Sequence, residues 1–162
     1  HGGSLRIYGC HAEDDRMTAG SVATLLSKEI QSGMLSLQAY QMFQSRADQI
    51  KDDLLQFLIE QKRAGKRVAA YGAAAKGCTL LNYAGIKPDL LPYVCDAAPS
   101  KQGKYLPGTH IPIYHPNVLN ELKPDIILIL PWNIQIEIME HLSYVRDWGA
   151  KFVVAVPHIS AC

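Results

Sequence analysis

One glycine turn carries most of the chemistry legible in this sequence. Val68-Ala69-Ala70-Tyr71 is apolar, Gly72 and Gly77 bracket Ala73, Ala74 and Lys76, and Cys78-Thr79-Leu80-Leu81 resumes at helical spacing. A turn of this kind aims free backbone N–H groups, and the positive end of a helix dipole, at whatever lies beyond the strand. Phosphate is the usual guest. Against the pattern G-x-G-x-x-G, Ala74 fills the middle place, where its methyl group hinders the closest backbone approach. Lys76 opposes the helix dipole, and a bound anion would compensate it. Asp96 closes the next apolar run about 20 residues on, the position of the ribose-binding acid in dinucleotide folds. The Walker pattern fails, because Cys78-Thr79 follows Gly77. The alternative is a strand-to-helix turn whose glycines serve close packing alone.

The elements around the turn follow from periodicity. A first helix is capped by Thr18 or Ser21, with Val22, Leu25, Leu26 and Ile30 on one stripe and Gly33 at its end. A longer helix spans about 36–64, with Tyr40, Phe43, Ala47, Ile50, Leu54, Phe57 and Leu58 on one face. From Lys66 strands alternate with helices: strand 67–71, helix 76–83, strand 90–95, a short edge strand at 111–113, helix 117–122, strand 125–130, helix 135–146 and strand 151–156. Asp125 to Leu130 reads as a parallel strand buried on both faces. The alternation predicts an α/β, Rossmann-like three-layer domain with a mostly parallel sheet over 66–162. A two-helix segment, 13–65, packs on that sheet, and residues 1–12 hold an orphan N-terminal strand at Leu5–Cys10. That strand has no obvious sheet partner, and the simplest expectation is that it belongs to a longer protein.

Ligands of such sheets sit beyond the carboxyl ends of the strands. Those ends carry Gly72–Gly77, Asp96 with the loop after it, Pro131-Trp132-Asn133, and Pro157-His158. The 99–110 loop holds Lys101, Lys104 and Tyr105, suited to a diphosphate and to stacking on a base or sugar. Alone it reads as a solvated loop; its place after Asp96 sets it beside the glycine turn. Trp132 reads equally as a core anchor or as a ring exposed at a strand end.

Composition narrows the function classes. The net charge of +1 offers no field for nucleic acid. No apolar run approaches the ~20 residues that cross a bilayer. Cys10, Cys78, Cys95 and Cys162 are scattered without a C-x-x-C, which predicts reduced thiols and a cytoplasmic setting. The histidines, His110 and His115 included, lack metal-ligand spacing, so no metal is expected here.

Four strings taken together, His1–Tyr8, Tyr71–Gly77, Lys101–Thr109 and Leu130–Asn133, resemble the C-terminal domain of the SAM-dependent sugar C-methyltransferases. The resemblance covers nearly the whole chain, in order. It implies a larger enzyme of three parts: an N-terminal domain with structural zinc, a central SAM-binding domain, and this domain. Residues 1–12 would then be the last strand of the central domain. The family's general base, a histidine in a Tyr-His-Glu-His-like stretch, has no counterpart here, and Cys10-His11 does not match it. Nor is there an acidic-Gly-x-Gly SAM motif, so no cofactor is expected in this fragment and no methyl transfer by it alone.

The implied role is to hold a nucleotide-linked keto-deoxysugar. Its diphosphate would meet Gly72, Ala73, Ala74, Lys76 and Gly77, with Asp96 alongside. Lys101, Lys104 and Tyr105 would close over it, and Trp132 and Asn133 would border the sugar or base. A ketone acidifies the neighbouring carbon, a base in the central domain takes the proton, and the enolate attacks the SAM methyl. Cys78 departs from the small polar residue, such as Asn, expected at that place. Two other readings stand beside this one: a NAD(P)- or CoA-binding module, and a structural or homodimerising domain using the 36–64 helix. No catalytic Tyr-x-x-x-Lys or Cys-His pair accompanies the first.

Overall fold

The computed structural model describes residues 5–161. They form two compact units, divided between Asp48 and Gln49 within the second helix. Helix α1 (Gly20–Gln31) and the first half of α2 (Leu37–Arg63) make up the ordered part of the first unit. Leu5 to Cys10 form no strand among the described residues. A strand needs a neighbour to satisfy its N–H and C=O groups, and none is present. His1 to Ser4 and Cys162 lie outside the described residues.

The second unit holds the end of α2 and then β1 (Val68–Tyr71), α3 (Ala75–Tyr83), β2 (Val94–Cys95), β3 (Ile113–Tyr114), α4 (Val118–Leu122), β4 (Ile126–Ile129), α5 (Gln135–His141), β5 (Lys151–Val154) and β6 (Ser160–Ala161). Sheet order is β3-β2-β1-β4-β5-β6, parallel throughout except for β6 against β5. The register sets Tyr71 beside Cys95 and Ile129, so the ends of three strands lie level.

Alternation across the pleat builds the three layers. Val68, Ala70, Leu128 and Val153 point to one face, where Leu54 and Leu58 of α2 and Leu81 of α3 cover them. Ala69, Ile127, Ile129 and Phe152 point to the other, under Leu119 of α4 and Ile138 of α5. Both faces are dry, which is why these strands read as continuous apolar runs. This is the expected Rossmann-like α/β sandwich.

Several elements differ in extent from their sequence pattern. The 90–95 run pairs only at Val94–Cys95; Pro92 has no N–H to give, and Leu91 is buried in the core. The 135–146 helix breaks after His141 into a 3₁₀ segment, Ser143–Trp148, yet Ile138, Leu142 and Val145 still face one core. Strand β6 was not anticipated. No helix is long and apolar enough to cross a membrane among the described residues.

Candidate functional site

Strand order reverses beside β1: the chain leaves it for β2 on one side and pairs it with β4 on the other. A crevice outside the carboxyl ends of the strands is expected at such a point. The cleft found, of about 980 Å³, lies to one side of that point, between the first turns of α3 and the arm that joins β2 to β3. Ala73, Ala74 and Ala75 form one wall, and Lys101, Lys104 and Tyr105 stand on the other. Its volume suits a ligand of nucleotide size.

The start of α3 carries the positive end of a helix dipole. Ala74, its N-cap, supplies no side-chain acceptor, and the first turn has no acidic residue. The first intrahelical N–H to be satisfied is that of Cys78, donated to Ala74 O at 2.9 Å. The N–H groups of Ala75, Lys76 and Gly77 meet no acceptor among the described residues. Orphan donors at a helix start favour an anion.

Asp96 fastens the turn to the arm. One carboxylate oxygen, Oδ2, accepts from Ala73 N–H at 2.7 Å and from Lys101 Nζ at 2.9 Å. The other accepts from Ala98 N–H at 2.8 Å, and Gln102 donates to the Asp96 carbonyl at 2.9 Å. The side chain is buried and its oxygens are engaged within the protein. It is a brace where the sequence pattern had placed a ribose acceptor.

The arm is a hooked hairpin, not a solvated loop. Gly103 N–H donates to Ile113 O at 2.9 Å, Ile113 N–H to Lys104 O at 2.8 Å, and Leu106 N–H to Ile111 O at 2.8 Å. Leu106 and Ile111 are buried in the core. Helix α3 holds the far end: Asn82 Nδ2 donates to Pro107 O at 2.9 Å, and Cys78 Sγ lies 3.4 Å from the same oxygen. Lys87 Nζ donates to Gly108 O at 2.9 Å. Tyr105 stacks on His110 with ring centres 4.2 Å apart. Lys104 Nζ donates to Ser100 O at 2.6 Å, and among the described residues it pairs with no carboxylate.

The remaining residues of the sequence pattern lie elsewhere. Lys76 donates to Asn133 Oδ1, and its ammonium sits 5.1 Å from the centre of the Trp132 ring. The three form their own cluster, and none of them lines the cleft. The compensation expected for Lys76 from a bound anion is thus supplied inside the chain. Trp132 is half-buried and packs against the α5 side of the core. Gly72 and Gly77 are committed to packing: a Cβ at Gly72 would sit 2.5 Å from Pro131 Cδ, and one at Gly77 2.6 Å from Leu130 Cβ. Cys78, Thr79, Asn82, Tyr83, Ser100 and Pro107 also line the cleft. Sequence reasoning missed most of these; the spacing of Cys78 and Asn82, one helical turn apart, was the available signal.

Burial governs the thiols and phenols nearby. It pushes the Cys95 thiol up to about 12, and Tyr71 and Tyr144 are raised for the same reason. None of these groups lines the cleft. Cys10, Cys78 and Cys95 are free thiols.

Residues 1–157 match the C-methyltransferase C-terminal domain family. The chain belongs to that family. C-methyltransferase NovU of Streptomyces niveus is 32% identical over 157 residues, which are 97% of this chain. The match spans 37% of that relative's length. The sequence resemblance to the family is therefore borne out, and so is the α/β fold that it implied.

Proposed function

We propose that this domain is the substrate-holding part of a larger SAM-dependent C-methyltransferase, and that its guest is a nucleotide-linked keto-deoxysugar. The observation that carries the reading is the cleft, where the start of α3 at Ala75, whose N–H meets no acceptor among the described residues, lines one wall and Lys104 and Tyr105 line the other. An uncapped helix start and a lysine that pairs with no carboxylate among the described residues suit a diphosphate. The outer face of Tyr105 suits a base or sugar ring. Membership of the family supports methyl transfer as the setting, and the match to part of NovU supports further domains in the complete polypeptide.

The surroundings of Asp96 favour this guest over SAM or a dinucleotide. Either of those brings a ribose diol that is commonly met by a carboxylate at the end of β2, and that of Asp96 already accepts from Ala73, Ala98 and Lys101. The methyl donor and the general base belong to the rest of the polypeptide in this reading. This domain acts by orientation. Clamping the diphosphate fixes the sugar carbon relative to the reacting groups, and such positioning is worth several kcal/mol of a barrier. The free thiols agree with a cytoplasmic setting.

Calorimetric titration of the complete polypeptide with dTDP, NADH, CoA and SAM tests this reading. Binding of dTDP, weakened by Lys104→Ala, is expected, while SAM binding stays unchanged in that variant. Binding of NADH or CoA, or a dTDP affinity indifferent to Lys104→Ala, would overturn it.

A further inference from the structure

Helix α1 has little reason to be stable alone. It is 12 residues long, near the length at which isolated helices are marginal in water. Its N-cap, Ala19, offers no side-chain bond, its first turn has no acidic residue, and none of its residues is buried. Val22, Leu26 and Ile30, spaced four apart on one stripe, are 45%, 54% and 59% exposed. The stripe continues in kind through the turn and into α2, where Met34, Leu35, Leu37, Tyr40 and Phe43 are all at least half exposed. Exposed apolar faces of this extent mark interaction surfaces.

Charge limits the partner. Between Met17 and Ser45 the acidic and basic side chains are Lys28 and Glu29, adjacent and of opposite sign. Nucleic acid and anionic lipid surfaces both require clustered Lys and Arg. The surface best suited to this face is therefore apolar and uncharged. The matched stretch is only 37% of the length of NovU, so a relative of this domain carries a large further portion in the same chain.

We propose that α1 and the first half of α2 form a docking face for the rest of the C-methyltransferase polypeptide, seated against an uncharged apolar surface of it. The proposal rests on reading this chain as one part of such an enzyme. It gives the first unit a mechanical role: holding the substrate domain against the domain that does the chemistry, while the cleft in the second unit binds its ligand independently.

Hydrogen exchange on the complete polypeptide, wild type and Leu26→Asp/Ile30→Asp, tests it. Both side chains are exposed in the free domain, so the double substitution spares the sheet. In the wild type, amides of 20–31 are expected to exchange at least about tenfold slower than an uncovered surface helix, and the variant should lose that protection. Strands β1 and β4 should stay protected, and dTDP affinity should stay unchanged. Fast exchange over 20–31 in the wild type would overturn the proposal, as would protection that survives the substitutions. A dimer that the variant converts to monomer would also overturn it, by assigning the face to a second copy. The dTDP titration reports separately on the cleft, so the two readings fail by different results.

Discussion

Replacing Gly72 by Ala tests whether the turn glycine serves a ligand or the fold. Gly72 sits at φ +90°, where a side chain costs roughly 1–2 kcal/mol. Its new Cβ would lie 2.5 Å from Pro131 Cδ, and overpacking of a filled site costs roughly 1–3 kcal/mol. Together these predict a loss of about 2–5 kcal/mol in the stability of the second unit. Pro131→Ala removes the Cγ and Cδ that collide, while the backbone strain stays. The pair Gly72→Ala/Pro131→Ala should therefore regain only the collision share, a coupling of about 1–3 kcal/mol. Urea unfolding of the four proteins, compared at constant m, measures it. dTDP affinity per folded molecule should hold in all four. Additive losses within about 0.5 kcal/mol would refute the packing argument. So would a stable Gly72→Ala protein that no longer binds dTDP.

Lys104→Ala should weaken dTDP binding roughly tenfold or more, because a charge-assisted contact is worth about 1.5–3 kcal/mol, and leave the urea midpoint unchanged. Lys76→Ala should do the reverse, lowering stability by about 1 kcal/mol through loss of its contacts with Asn133 and Trp132, with dTDP affinity retained; titration and urea unfolding of both variants decide. Cys95, with its thiol raised to about 12 by burial, should resist iodoacetamide at pH 8 in the folded protein and label only on unfolding, whereas the exposed Cys10 labels at once, as peptide mapping would show. Asp125 is held below its ordinary value of 3.8, chiefly by the Arg67 N–H it accepts at 2.8 Å, with Lys66 beside it. Its folded value is the lower one, so its contribution is present above about pH 4 and is lost as pH falls through the folded value. The stability gap between wild type and Asp125→Asn should accordingly shrink below pH 4 in urea titrations; a gap that is constant down to pH 2 would disprove the linkage.

How much of the fold was legible depended on whether a signal was local. Asp125–Leu130 and Arg67–Tyr71 were readable because burial on both faces forces an unbroken apolar run. Helices α2 and α3 were readable because their buried residues repeat at helical spacing. Strand β6 was not, since Ser160–Ala161 is two residues long and only half apolar. At the site, the turn, the arm and their meeting beside β1 were visible in sequence. The work of each residue was not. Whether Gly72 admits a phosphate or a proline depends on Pro131, which arrives from another strand. Whether Lys76 is free depends on Asn133, and whether Asp96 can take a ribose depends on the loop that folds over it. Composition does not record such pairings.

The division of labour among the rim cations follows from these contacts. Lys76 is spent on Asn133 and Trp132, and Lys101 on Asp96, so neither brings a free charge to a ligand without first giving up a partner. Lys104 gives up only a carbonyl, that of Ser100, which a phosphate oxygen outbids as an acceptor. Its arm is fastened to α3 by Asn82 and Cys78 through Pro107 O, and Asp96 ties the base of the arm to the start of the same turn. Helix donors and lysine are thus anchored to one another before any ligand arrives. A site built in this way loses little backbone entropy on binding and holds the start of α3 and the lysine-bearing arm at a fixed spacing. Fixed spacing is what a domain needs if its contribution is to hold one end of a substrate still while chemistry proceeds at the other.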